Sequence, residues 1–427
     1  MMTTPDGLLG AVIASESLGL TETMINGAGG CRSRTQIMLH ELDQTYRGEK
    51  TGCCRSKYYS RQSGIPCTYL NGNDVIFGAT DKISDGITSA SEATGRRVVL
   101  LDTLGASLIC TDLEGRLDGR AEPIHMREDL SSMDLHTGYD LTMTKILDSM
   151  NIKGGEDRSV NILGYSIMDP GWEYGAEELR KLLSLAGIRV NAIIGCKDDP
   201  SKMASCGSAS LNIMVHPEYC RMTSDYLKKR FGTPSLRLSA GAPVGYNATR
   251  SFVREVANAM GTDPAPALEY IEREERRVHR ILMNHDRAPS MMHAKGMSMD
   301  GDSSTLYPLM KWICEKFGMI PRRIHPTDGE YLDEIGDYLD LIGFGDALAG
   351  IPGRVEAVFT DGITALEGRL SCDQKTYVEI HMPRGHHMDL MGRHLIGTGG
   401  CRYILDEMFN NHIRFRCGQP TQMEFRP

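Results

Sequence analysis

Short apolar runs alternate with amphipathic ones along most of this chain. Arg97 to Leu101 is apolar after its first residue, rich in branched side chains and too short for a helix, which predicts a strand. Ser159 to Tyr165, ending at Gly164, predicts a second, and Ile188 to Ile194, ending at Gly195, a third. Between the last two, Glu177 to Ala186 has helical spacing, opens with acids and closes on Gly187, a residue suited to a helix C-terminus. Thr223 to Phe231 predicts a helix stopped by Gly232 and Pro234, and Asn247 to Met260 another with Gly261 behind it. Pro264 to Asn284 predicts the longest helix. It is strongly charged, with Leu268, Ile271, Val278, Ile281 and Leu282 along one side, and is expected to connect two lobes. Helix then strand recurs at Leu306 to Phe317 and Met319 to Ile324, and Val355 to Phe359, Val378 to His381 and Gly397 to Phe409 complete the pattern. Strands alternating with helices of this length predict parallel sheets. The expected fold class is α/β, with three Rossmann-like lobes around a shared cleft: 1–150, 151–285 and 286–427.

Length supports more than one domain, since 427 residues exceed what one core normally serves. Glycine, 46 of 427, sits at the ends of apolar runs, as α/β chains place it, and the 25 methionines read mainly as core filler. Lys+Arg 47 against Asp+Glu 56 gives a net charge of −9, which argues against a nucleic-acid partner. The apolar run from Leu8 has no basic segment before it and is interrupted by Glu16, so no secretory signal is expected. The stretch from Val98 to Cys110 is broken by Asp102, so no membrane span is expected either. A cytoplasmic location follows as an expectation, and the 12 cysteines then call for packing or metal ligation rather than disulfides.

Common motifs are missing. There is no Walker A loop, no dinucleotide fingerprint, no Cys-x-x-Cys, no Gly-x-Ser-x-Gly and no His-Glu-x-x-His. His386 and His387 are adjacent on a loop, a poor arrangement for facing one ion. The informative segment is Asn26-Gly27-Ala28-Gly29-Gly30-Cys31-Arg32. Its glycines permit a tight turn and close approach to the backbone, and a cysteine directly after them suits either a cluster ligand or a buried helix start. Cys53-Cys54 precedes a basic stretch, Arg55 to Arg61, that suits an acidic partner, an anionic substrate or a solvated face.

Taken in order, these pieces resemble the nitrogenase component 1 superfamily. Gly7 to Val12, then Gly19 and the Gly29-Gly30-Cys31 turn, look like its start. Asn73 to Gly78 with Lys82 matches its Asp-x-Val-Phe-Gly-Gly-x-x-Lys motif. Ala106 to Leu113, Leu211-Asn212, Tyr226 to Pro234, Pro243, Gly245 and Thr249 are similar to later segments, and His386-His387 with Gly397 to Ile404 to its C-terminal signature.

The resemblance implies a cytoplasmic electron-accepting oxidoreductase subunit. It would work with an ATP-dependent iron–sulfur reductase and hold a cluster (4Fe-4S or larger) shared at the interface of a homodimer or of a paralogous heterodimer or tetramer. The family's first ligand falls on or next to Asp6 and its second on Cys31, while Leu104 and Gly105 stand where the third is due. The remaining ligands would come from a second subunit, or from Cys53 or Cys54. The α-subunit cofactor cysteine falls near His216, with Cys220 about a helical turn beyond, so His216 and Cys220 are the expected catalytic positions. An iron–molybdenum cofactor and nitrogen reduction are not expected. A small-molecule or tetrapyrrole-type substrate is, with a cluster-assembly scaffold or a partner subunit without its own redox centre as alternatives.

Overall fold

The structure, a computed structural model, describes residues 5–42, 65–109, 111–113, 115–117, 122–285, 288–371, 375–384 and 391–417. Its strands are β1 (Thr21–Asn26), β2 (Arg97–Asp102) and β3 (Ile124–Met126); β4 (Asp157–Leu163), β5 (Arg189–Ile193), β6 (Ala209–Met214) and β7 (Ser235–Arg237); and β8 (Gly296–Gly301), β9 (Ile320–Pro326), β10 (Ala357–Asp361) and β11 (Thr376–His381). They form three sheets, in the orders β1-β2-β3, β5-β4-β6-β7 and β11-β10-β8-β9. The pairs β1·β2, β2·β3, β4·β6, β8·β9, β8·β10 and β10·β11 are parallel. That is the α/β architecture the alternation predicts. No described helix is long and apolar enough to cross a membrane.

The chain divides into two compact units. One comprises Met1–Met168, Asn191–Met214 and Tyr219–Ser235; the other comprises Asp169–Val190, Val215–Glu218 and Leu236–Pro427.

In the first unit β2 is buried from Val98 onward, the signature of a strand covered on both faces. Its neighbour β1 carries Thr21, Glu22 and Thr23, polar letters with no apolar run to announce a strand. It is buried nonetheless, because the helix before it, Gly7–Leu18, answers its hydroxyls. Thr23 Oγ1 donates to Ser15 Oγ at 2.8 Å, and Thr21 Oγ1 donates to the Ser15 carbonyl at 3.2 Å. That helix packs on a second one, Leu135–Ser149, with almost no side chain between them. A Cβ on Gly10 would overlap the Leu135 carbonyl, and a Cβ on Gly138 would overlap the Gly7 backbone. The second helix then holds a third, Arg221–Phe231. The buried Asp140 carboxylate accepts from the Met222 and Thr223 amides at 2.6 and 2.9 Å, which satisfies donors that a helix start leaves open.

In the second unit the long charged helix is Ala265–Met283, with Pro264 before it and Asn284 after it. It lies within that unit, against helices Trp172–Leu185, Tyr246–Met260 and Gly397–Cys417. A buried carboxylate anchors the start of the last of these: Glu178 Oε1 accepts from the Thr398 amide at 3.0 Å and from Thr398 Oγ1 at 2.7 Å.

Candidate functional site

Three groups of side chains carry chemistry, one in the first unit and two in the second. In the first unit β1 ends at Asn26 and the chain turns through Gly27 into the helix Gly29–Leu42, which places Cys31 on that helix's first turn. The turn is tight: the Cys31 amide donates to the Ala28 carbonyl at 3.0 Å, and a Cβ on Gly27 would collide with the Thr103 side chain. Around Gly30 there is open space. The segment from Ile65 to Leu70 runs along the edge of β1 opposite β2 and delivers a second thiol, Cys67, to the same turn. Cys67 Sγ donates to the Gly27 carbonyl at 3.3 Å and accepts from the Tyr69 amide at 3.4 Å. Burial raises the Cys67 pKa; the Tyr69 amide and Arg32 oppose that, and the Cys31 thiol adds to it. Asp6 caps the helix Gly7–Leu18 by accepting from the Leu9 amide at 3.1 Å, and it pairs with Arg34, on the same helix as Cys31, at 2.6 Å. Two neighbouring thiols beside exposed amide-bearing backbone form a soft donor set of the kind iron–sulfur groups require. The residues present therefore fit part of such a site.

In the second unit His216 follows the end of β6 and is buried at 4% exposure. Its Nε2 lies 3.0 Å from Asp169 Oδ1, and its Nδ1 lies 2.7 Å from Ser304 Oγ. Ser304 Oγ donates to Glu218 Oε1 at 2.6 Å, so its oxygen can accept from Nδ1–H. Burial by itself would lower the His216 pKa, but Asp169 and then Glu218 outweigh it and hold it well above the ordinary imidazole range. Burial pushes Glu218 up to about 7 against the pull of His216, with Asp328 and Asp302 reinforcing the rise. The result is a line, ion-paired between Asp169 and His216 and hydrogen-bonded from His216 through Ser304 to Glu218, along which a proton can move over one imidazole and one hydroxyl.

The third sheet gathers another set. Asp300, Asp361 and His381 stand at or near the C-terminal ends of β8, β10 and β11, the usual ligand side of a parallel sheet, and bring one donor atom each within 4.8 Å of one another. His381 Nδ1–H donates to the Met382 carbonyl at 2.6 Å, while Nε2 meets Asp300 Oδ2 at 3.0 Å. Asp361 Oδ1 accepts from the Ile363 and Thr364 amides at 2.8 and 2.9 Å, capping the next helix.

Of the positions expected from sequence, Cys31 stands on the glycine turn, and Asp6 is joined to its helix through Arg34. Cys53 and Cys54 lie outside the described residues, as do Arg55 to Arg61 and His386-His387. Cys220 is the residue before the helix Arg221–Phe231, 2% exposed, in the first unit, whereas His216 belongs to the second. Sequence reasoning passed over Cys67, Asp169, Glu218 and Ser304. Cys67 is a single cysteine in a segment without periodicity, and only its pairing to β1 reveals it. Glu218 was the most accessible miss, a carboxylate two residues beyond His216 in the same loop.

Comparison with known proteins bears on all of this. The sequence model of the family described as nitrogenase component 1 type oxidoreductase matches residues 7–365. The chain is 38% identical over 109 residues to a light-independent protochlorophyllide reductase subunit of Methylobacterium radiotolerans, covering 26% of this chain and 20% of the relative. It is 29% identical over 205 residues to the subunit of the same name from a Nostoc species, covering 44% of this chain and 40% of the relative. The chain thus matches well under half the length of these curated relatives. Among solved structures, nitrogenase Cp1 at pH 6.5 superposes with a TM-score of 0.77 over 100% of this chain and 96% of that one, at 15% identity, which shows a shared fold.

Proposed function

The chain belongs to the nitrogenase component 1 type oxidoreductase family, and on that premise we propose that it is the electron-accepting subunit of a nitrogenase-like reductase. It takes low-potential electrons from an ATP-dependent iron–sulfur protein and reduces a small-molecule or tetrapyrrole-type substrate. The observation that carries this reading is the thiol-bearing turn after β1, with Cys31 on the first turn of the following helix and the Cys67 thiol bonded to the Gly27 carbonyl. An iron–sulfur cluster bound there supplies reversible one-electron transfer. The chain's own part is to hold thiolates with amide donors beside them and to keep cations, Arg32 and Lys82, near the negative charge. Such a cluster has four or more ligand positions, more than this turn fills, so the remainder come from a second subunit, identical or paralogous. Asp6 serves as a further ligand only by giving up Arg34.

Reducing a carbon–carbon or carbon–nitrogen double bond consumes protons along with electrons. The line Asp169–His216–Ser304–Glu218 suits that need. It runs from a partly exposed carboxylate, at 16% side-chain exposure, to one that is 1% exposed. The positively charged imidazole holds a proton ready, and the serine hydroxyl passes one on without leaving its place. Both relatives are named as reductases of protochlorophyllide, which favours a tetrapyrrole among the substrate classes.

A second reading, a partner subunit without its own redox centre, is favoured by one observation. The third ligand position carries Leu104 and Gly105, at the start of the helix Leu104–Ile109, where no thiol stands. Anaerobic purification followed by iron and sulfide analysis separates the two. The reductase reading expects iron in the wild type and its loss in Cys31→Ser with the melting temperature retained. Absence of iron from reconstituted wild-type protein overturns it in favour of the second.

A further inference from the structure

We infer that Cys67 is the second thiolate this chain contributes to the metal–sulfur group at the Cys31 turn, in place of the ligand that Leu104 and Gly105 cannot supply. The inference rests on the reading of that turn as an iron–sulfur site.

Backbone pairing brings Cys67 there. The Ile25 amide donates to the Pro66 carbonyl at 2.9 Å, the Thr68 amide to the Ile25 carbonyl at 3.0 Å, and the Leu70 amide to the Gly27 carbonyl at 2.9 Å. The Gly27 amide donates to Thr68 Oγ1 at 3.0 Å. Four bonds in so short a segment fix its register against β1: Cys67 pairs opposite Ile25 on the strand, and from there its thiol reaches the Gly27 carbonyl of the turn. Arg32, next to Cys31, locks the other side. Its Nε donates to the Ile65 carbonyl at 3.1 Å, its Nη1 donates to Tyr69 Oη at 2.7 Å, and its guanidinium lies 5.7 Å from the Tyr69 ring centre. The residue after one cysteine therefore clamps the segment that carries the other. A ligand pair is held across two separate stretches of chain without a loop of its own.

The Tyr69 amide points at Cys67 Sγ at 3.4 Å, and the Arg32 guanidinium is anchored on the same segment by the Ile65 carbonyl and Tyr69 Oη. Lys82 is itself fixed, donating to the Tyr69 carbonyl at 2.9 Å and pairing with Asp74 at 2.7 Å. Cys31, Cys67 and Cys314 are half-buried, within reach of an incoming group, whereas Cys196, Cys206, Cys220 and Cys401 are buried. Binding exchanges each S–H bond for an S–Fe bond and releases one proton per cysteine to solvent. The oxidation state of the iron does not change, so no oxidant or reductant is involved.

The test uses the full chain, purified anaerobically and reconstituted with equal amounts of ferric and ferrous iron and with sulfide, so that a four-iron 2+ cluster assembles without net oxidation or reduction. Iron and acid-labile sulfide are measured in the wild type, Cys67→Ser, Cys67→Ala and Cys31→Ser, with Mössbauer spectra of the iron that remains and circular dichroism to check folding. Cys67→Ala is expected to lose iron to the same extent as Cys31→Ser, and Cys67→Ser to keep any residual iron with an altered spectrum from an oxygen ligand. A second measurement needs no variant. Iodoacetamide labelling of wild-type protein, read by mass spectrometry, should modify Cys31 and Cys67 at least about tenfold more slowly in the iron-loaded form than after chelation, as a metal-bound thiolate is a poor nucleophile. If wild-type protein binds iron but Cys67 labels equally fast with and without it, or both Cys67 variants keep the wild-type iron and spectrum, this inference fails and the iron–sulfur reading stands. If wild-type protein binds no iron, both fall. A Cys31–Cys67 disulfide that persists in the reconstituted protein also overturns the inference.

Discussion

Replacing Glu218 by glutamine tests the electrostatics of the buried relay directly. Folding moves this carboxyl from an ordinary 4.5 to about 7. The difference is about 2.5 pH units, and at 1.36 kcal/mol per unit it corresponds to roughly 3 kcal/mol. The folded state holds the proton more tightly than the unfolded chain. The stability this carboxyl contributes is therefore complete at and below its unfolded value of 4.5, is lost as the pH rises to about 7, and stays lost above that. His216 acts in the same direction: its pKa is raised on folding, so the stability it contributes below 6.5 is lost as the pH rises through its folded value. Glutamine keeps an oxygen to accept from Ser304, and it cannot ionise. Urea unfolding of wild type and Glu218→Gln at pH 5, 6, 7 and 8 should give a wild-type midpoint that drops between pH 5 and 7. The variant should show a much flatter one over that interval and a clear advantage at pH 8. Parallel pH curves for the two proteins would refute the assignment of this slope to Glu218, and with it the picture of a carboxyl kept partly protonated near neutrality.

Asp169→Asn should bring the His216 titration down, because burial lowers it and Glu218 alone then opposes that; the imidazole proton resonances across a pH series report it. Glu178→Ala removes the acceptor of two close hydrogen bonds at the start of the helix Gly397–Cys417 and leaves the Thr398 hydroxyl and amide buried. A loss on the order of 3 kcal/mol or more is expected from denaturant midpoints. Gly10→Ala forces apart the helices Gly7–Leu18 and Leu135–Ser149, with an expected cost of at least about 2 kcal/mol in chemical denaturation and faster amide exchange along both helices.

Much of the architecture was legible because parallel sheets covered by helices leave a strong periodic trace. Arg97 to Leu101 became β2 almost residue for residue, and Gly187, Gly232 and Gly261 lie just beyond the helices they were expected to close. β1 was not legible, since its buried threonines depend on hydroxyl partners contributed by Ser15 and Glu16 across a turn. The helix Ala265–Met283 reads in sequence as a connector because its charges look solvated. Several of them instead pair with its neighbours: Glu275 with Arg250 and Lys316, and Glu274 with Arg402. At the candidate site, Cys31 could be found from its glycines, whereas Cys67 could not. Its importance comes from strand pairing to a distant turn, and no local spacing encodes that. The relay behind His216 shows the same limit: Ser304 and Asp169 join it only through the fold.

The contact of Gly7 and Gly10 with the helix Leu135–Ser149 has a consequence for how this protein can change. At most core positions a larger residue can be accommodated if a neighbour becomes smaller, so paired substitutions leave a correlated trace. Here the obstacle facing Gly10 is the Leu135 carbonyl, and the obstacle facing Gly138 is the backbone of Gly7. A carbonyl has no smaller version. No second-site change at the contact itself can make room, so the two helices form a joint without compensating partners. A suppressor screen begun from Gly10→Ala should return true revertants and changes that stabilise the unit elsewhere, with none at Leu135 or Tyr139. The helix that begins at Asp6 is thereby tied to its neighbour by a constraint that covariation between residues cannot register.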